Sequence, residues 1–206
     1  MKAGKLTAEQ ALERLRHLPY QDLGFAKVDH HRVLRQGFPE VVLGQGKSPE
    51  QVAAIVESLA SHSPRLLVTR ASEEMYSAVK ARTPEATYNP TARAIVVDRV
   101  QQAVSRPGVM VLSGGTADLP VAEEAAVTVE LMGNEVTRAY DVGVAGIHRV
   151  LDHLPQLQQA RVIVVVAGME GALPSVVSGL VSAPVIAVPT STGYGASFGG
   201  LAALLA

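Results

Sequence analysis

Three uninterrupted aliphatic runs constrain this chain more than any other feature: VMVL at 109–112, VIVVVA at 162–167 and VIAV at 185–188. None alternates apolar with polar residues, so none offers a solvent face as a strand. Strands of this kind are buried on both sides, which happens in parallel sheets covered by helices. Each run is too short to cross a bilayer as a helix. Helical periods lie between them: 118–132, then Val144, Ile147, Val150, Leu151 and Leu154, then Leu173, Val176, Val177, Leu180 and Val181. Residues 134–143 hold a further strand. Strand and helix alternate at a spacing that predicts right-handed crossovers and an α/β fold, its parallel sheet sandwiched by helices.

The first half is less regular. Leu6, Leu12, Leu15 and Leu18 share one face of an N-terminal helix over 1–20, ended by Pro19. Its acidic residues set it apart from a signal peptide. Residues 22–47 are polar and turn-rich around one short strand at 40–43. Ser48-Pro49-Glu50-Gln51 reads as a capping box with Pro at the first helical position. Val52, Ile55, Val56 and Leu59 follow at helical spacing. A strand at 65–69, a helix capped by Ser72 that buries Met75 and Val79, and a strand at 94–97 complete a smaller α/β domain over 21–105. Ser105-Arg106-Pro107-Gly108 punctuates the chain, and the second domain occupies 106–206.

Composition narrows the function classes. The formal net charge is −1, so there is no basic footprint for nucleic acid. No run is long enough for a membrane partner, and a cytoplasmic location is expected. Zero cysteines exclude disulfides, thiolate metal sites and a thiol nucleophile among these 206 residues.

In an open parallel sheet, ligands bind beyond the carboxyl ends of the strands. Here those ends are SGGTAD (113–118), YDVGVAGIH (140–148), GMEGALP (168–174) and PTSTGYGASFGG (189–200). Gly114, Gly115, Gly168, Met169 and Gly171 let backbone amides approach an anion. Ser113, Thr116, Ser191 and Thr192 offer hydroxyls. Asp118, Asp141, His148 and Glu170 are the titratable candidates, each with a structural alternative. Asp118 can cap a helix, Asp141 can satisfy loop amides, and His148 stands beside Ile147 on a helix with no fixed role. Glu170 is the single charge in VVVAGMEGALP; near a helix start it gains from the dipole, but its small neighbours leave room for a ligand. In the first half, Arg32 and Arg35, with Lys47, form either a solvated surface or an anion site. His30 and His31 are adjacent and do not face one way on a helix, so they do not read as metal ligands. SGGTAD is neither a Walker loop nor GxGxxG.

Residues 109–200 resemble the PurE (AIR carboxylase) family, with SGGTAD at its GSxSD loop and AGMEGALPSVVSGL at its glycine- and alanine-rich loop and helix. VDHHRVLRQGFPEVVLGQGK, SGGTADLPVAEEAAVT, YDVGVAGIHR, VVVAGMEGALPSVVSGLV and PVIAVPTSTGYGASFGG extend the resemblance to the LarB family, from about Asp22 onward. The resemblance implies a flavodoxin-like second domain. It implies carboxylation of the pyridinium ring of nicotinic acid adenine dinucleotide by carbon dioxide or bicarbonate. Cleavage of the phosphoanhydride then releases AMP and a biscarboxylated mononucleotide for a nickel-pincer cofactor. It further implies a homo-octamer. Phosphoanhydride cleavage would be helped by a magnesium ion, which favours oxygen ligands and phosphate, with Asp118, Asp141 and Glu170 available to it. Glu170 or Asp141 is the expected base, with His148 the third titratable candidate. Asp118 and the Ser113–Thr116 loop are expected to hold ribose phosphate. The other readings are a PurE-type carboxylase or mutase of purine synthesis and a non-catalytic nucleotide-binding module.

Two departures matter. The PurE histidine falls at Ala172. The LarB family also carries a cysteine in an Asn-Ser-Cys segment beyond the GLAALL helix, where this sequence stops, so a C-terminal truncation is expected. A form extended through that segment is expected to incorporate labelled bicarbonate readily and the 206-residue chain poorly; equal rates would contradict this.

Overall fold

The computed structural model describes Thr7 and residues 20–38, 40–100 and 105–206. The helix expected over 1–20 lies almost wholly outside them. The chain divides into two units, 1–101 and 102–206.

In the first unit, strands β1 (Tyr20–Asp22) and β2 (Lys27–Asp29) form an antiparallel ribbon, followed by the short helix α1 (Arg32–Gln36). Strand β3 (Val41–Leu43) leads into α2 (Pro49–Ala60), whose capping box forms as the sequence predicts: Gln51 N–H donates to Ser48 Oγ and Ser48 N–H to Gln51 Oε1. Then come β4 (Arg65–Thr69), α3 (Glu73–Arg82) capped by Ser72, β5 (Thr87–Asn89) and β6 (Ala94–Asp98). The sheet order is β3-β4-β6-β5. Only β3 and β4 run parallel; β6 is antiparallel to both its neighbours. The cause is local. No helix lies between β5 and β6, and the chain returns as a hairpin whose turn is held by Ala92 N–H donating to Asn89 Oδ1 at 3.0 Å. Val52, Val56, Leu59, Leu66, Val68 and Ile95 form this unit's core.

The second unit is regular. Its elements are β7 (Arg106–Ser113), α4 (Leu119–Leu131), β8 (Asn134–Ala139), α5 (Ile147–Leu151), α6 (Leu154–Gln159), β9 (Val162–Ala167), α7 (Ala172–Leu180), β10 (Val185–Pro189) and α8 (Leu201–Leu205). The order β10-β9-β7-β8 is parallel throughout. Alternate residues of the two central strands enter two cores. Met110, Leu112, Ile163 and Val165 pack with Leu157, Leu173 and Val177, while Val111, Val164 and Val166 pack with Ala122 and Ala126. That two-sided burial is what the unbroken aliphatic runs encode. The single helix expected around 144–154 is instead a turn of 3-10 helix followed by α5 and α6. Gly146 leaves helical geometry, and Pro155 in the first turn of α6 cannot continue an earlier helix. No helix among the described residues is long and apolar enough to cross a membrane.

From β7 the chain passes first to β8 on one side, then to β9 on the other. The loops after β7 and β9 therefore separate, opening a crevice at the switch point. Leu112 is fully buried under that crevice. Leu112→Ala is expected to cost about 2–5 kcal/mol in denaturant-induced unfolding. A loss below about 1 kcal/mol would contradict the close packing assigned to β7.

Candidate active site

The crevice holds a cavity of about 350 Å³ whose walls come from the loops after β7, β8 and β9 and from Thr192. Backbone touches backbone around it. A Cβ on Gly143 would stand 2.6 Å from the Gly114 carbonyl oxygen, and one on Gly168 would stand 2.3 Å from that of Thr192. Only glycine fits either place. Met169 N–H donates to the Thr192 carbonyl at 2.7 Å, stapling the turn after β9 to the segment after β10. Met169 (φ 53°) and Asp141 (φ 57°) are left-handed, a conformation that costs non-glycine residues about 1–3 kcal/mol and gathers at functional sites.

The structure resolves what the sequence left open about Asp118. Its side chain does not cap α4. One carboxylate oxygen accepts from Gly115 N–H at 3.0 Å and the other from Thr190 Oγ1 at 2.6 Å. The residue is only 4% exposed, and a buried carboxylate persists when donors surround it in this way. Asp118 thus shapes the glycine loop and ties it to the end of β10, while still lining the cavity.

Ser113 is buried, and its Oγ accepts from Asp141 N–H at 3.1 Å. It lies beneath the cavity wall and holds the loop after β8, in place of the ligand contact expected of it. Gly114, Gly115 and Thr116 line the cavity. So do Gly168, Met169, Glu170 and Thr192. Gly171, left-handed at φ 67°, begins α7, and a Cβ there would meet Ala203. Ser191 is exposed and outside the wall. His148 is likewise exposed and outside it; its neighbour Arg149 lines the cavity instead. Arg32 and Arg35 belong to the first unit, where Arg32 donates to Gln36 Oε1 and Arg35 pairs with Asp29.

Arg149 is the residue the sequence reading missed. It donates to Asp141 at 2.9 Å, with both side chains partly exposed. Such a pair contributes little to stability, so an incoming anion can take the guanidinium. A Cβ on Gly146 would fall 2.7 Å from Arg149 Nε, so a glycine makes room for the side chain. Glu170, by contrast, makes no hydrogen bond or ion pair among the described residues, and it is exposed at the cavity rim. Tyr140 is excluded as an acid near neutrality. Burial, with its 2.5 Å hydrogen bond to Glu123, holds the phenol protonated far above its ordinary range.

Among the described residues no group of three or more His, Asp or Glu side chains is placed to hold a metal ion. Asp118 already accepts two hydrogen bonds and Asp141 is paired with Arg149, while Glu170 has no protein partner among the described residues. A magnesium ion needs only one or two carboxylates beside phosphate oxygens, and Glu170 is the carboxylate placed to be one of them.

Glycine-rich loops at the switch point of a parallel sheet are where open α/β folds bind ligands, and a flavodoxin-like domain with this crevice is the architecture of the AIR carboxylase class. Comparison with known proteins agrees. Residues 20–99 match the LarB/PurE-like N-terminal domain, and 108–206 match AIR carboxylase. An uncharacterised protein of Methanocaldococcus jannaschii is 37% identical over 203 residues, covering 94% of this chain and 79% of that one. The N5-carboxyaminoimidazole ribonucleotide mutase of the same organism is 34% identical over 100 residues, 47% of this chain and 59% of its own length. The chain belongs to the LarB-like family, in which that N-terminal domain precedes an AIR carboxylase domain.

Thr190→Val is expected to strip Asp118 of one donor and cost about 1–3 kcal/mol in thermal or chemical unfolding. Thr190→Ser restores the hydroxyl and most of the stability. Equal losses in both variants would show that the methyl group, not the hydrogen bond, matters.

Proposed function

We propose that this protein carboxylates the pyridinium ring of nicotinic acid adenine dinucleotide, using carbon dioxide or bicarbonate, and cleaves the phosphoanhydride to release AMP. The observation that carries this reading is the pairing, in one chain, of the LarB/PurE-like N-terminal domain with an AIR carboxylase domain.

The site chemistry supports it. A pyridinium ring and carbon dioxide are both electron-poor. A nucleophile must add to the ring first, making a dienamine that attacks carbon dioxide. A base then removes the ring proton, and the nucleophile leaves to restore aromaticity. Glu170 is our base, because its carboxylate is unengaged at the cavity rim. Asp141 is held by Arg149 and serves to position it. Arg149 and the 114–116 loop take the phosphates, where a guanidinium fork suits their oxygens. A magnesium ion bound with the substrate's phosphates would neutralise their charge during phosphoanhydride cleavage. The chain has no cysteine, so the thiol nucleophile is supplied in the assay.

A second reading, the mutase of purine synthesis, is favoured by the identity to N5-carboxyaminoimidazole ribonucleotide mutase. The cavity speaks against it. Ala172 lines the wall where that family has its histidine, and His148 is outside. We further propose a cytoplasmic homo-oligomer, an octamer by family resemblance. Ile186 on edge strand β10 is 52% exposed and Leu205 on α8 76% exposed, apolar surface of the kind subunits cover.

Labelled bicarbonate offered with the dinucleotide and a small thiol should enter an acid-stable product, and Glu170→Gln should lower the rate by about a hundredfold to ten-thousandfold. Turnover of aminoimidazole ribonucleotide, with no label in the dinucleotide, would overturn the reading.

A further inference from the structure

The second unit contains three aromatic residues: Tyr140, Tyr194 and Phe198. Tyr140 is committed to Glu123. The other two stand on one loop after β10, and both avoid the core, with Tyr194 81% and Phe198 73% exposed. Tyr194 lines a cavity whose wall does not include Phe198. This cavity, of about 380 Å³, is separate from the one described above and is walled by Met169, Glu170, Tyr194, Ala196, Ser197 and Ala202. Met169 and Glu170 line both cavities, so the turn after β9 is the partition between them.

Backbone contacts fix the distance across this second cavity. The staple from Met169 N–H to the Thr192 carbonyl places Glu170 one residue beyond one end and Tyr194 two residues beyond the other. Between them, a Cβ on Gly193 would come within 2.7 Å of Ser197 Oγ and 3.4 Å of Met169 Cα, so glycine is required there. Ser197 N–H then donates to the Tyr194 carbonyl at 3.2 Å and turns the chain back. The lining thus combines a tyrosine, a methionine and a glutamate with no protein partner among the described residues. That combination recognises a flat ring carrying positive charge. The ring's face meets the phenol, and its charge meets both the π-cloud and Glu170.

We propose that Tyr194 is a specificity-determining residue that stacks on the planar cationic ring of the substrate. The Met169–Glu170 turn then divides the ligand, with the ring on the Tyr194 side and the phosphate on the Arg149 side. This inference rests on the pyridinium reading above and adds where the ring sits and what selects it. Glu170, at the partition, is the group able to reach a proton on a ring held there.

Calorimetric titration of the whole chain tests it with three probes: nicotinic acid mononucleotide, its uncharged dihydropyridine form, and ribose 5-phosphate. Tyr194→Ala should weaken the mononucleotide about tenfold, the size of a partly desolvated cation–π contact. It should leave ribose 5-phosphate and the dihydropyridine unchanged. Tyr194→Phe keeps the ring face and should bind like wild type. Phe198→Ala, on the same loop but outside the cavity wall, should also bind like wild type. Unchanged mononucleotide affinity in Tyr194→Ala would overturn the inference alone. Equal weakening of all three probes would also overturn it, by marking Tyr194 as a prop for the loop. Failure of wild type to bind the mononucleotide would sink the pyridinium reading as well.

Discussion

The hydrogen bond from Met169 N–H to the Thr192 carbonyl is the contact on which the rest of the site depends. It joins the turn after one central strand to the segment after its neighbour. It forms only because Gly168 leaves no side chain in the way. Sheet packing alone brings the carboxyl ends of β9 and β10 to about the separation of paired strands, near 4.8 Å. Closing the loops onto each other beyond that point needs backbone in van der Waals contact with backbone. The chain uses glycine there, accepts a left-handed Met169, and so presents Glu170 on a rigid turn.

A second set of contacts works at the opposite wall. Asp118 holds the loop after β7 by its amide and the end of β10 by its hydroxyl. Ser113 holds the loop after β8. These polar side chains satisfy buried donors rather than reaching for a ligand. The groups left facing outward, Arg149 in a weak pair and Glu170 in none among the described residues, are the ones whose charge is available. A site that binds an anion at one end and handles a ring proton at the other needs that division.

Much of the architecture was legible in the sequence. The unbroken aliphatic runs demanded a covered parallel sheet, and the capping box at Ser48 set the start of α2. Glu170 drew attention because it is the single charge on an aliphatic background and small residues flank it, although a carboxylate before a helix start also gains from the dipole. What escaped has physical reasons. Strand β5 is only three residues, Thr87-Tyr88-Asn89, closed by Pro90, too short for a period-two pattern to mark it. The helix around 144–154 read as continuous because its apolar spacing is right, yet Gly146 and Pro155 break the hydrogen-bond ladder. His148 and Arg149 are neighbours in sequence. Only three-dimensional geometry tells which one turns toward the crevice, and periodicity favoured neither. Ser113 looked like a ligand donor because its type suits that work, but its hydroxyl is buried and accepts from the Asp141 amide instead.

The most direct test is a crystal structure of this chain with nicotinic acid adenine dinucleotide. The account predicts pyrophosphate against the 114–116 loop and Arg149, with the pyridinium ring beyond the Met169–Glu170 turn beside Tyr194. A dinucleotide seated away from that turn, or a ring directed away from Glu170, would contradict it.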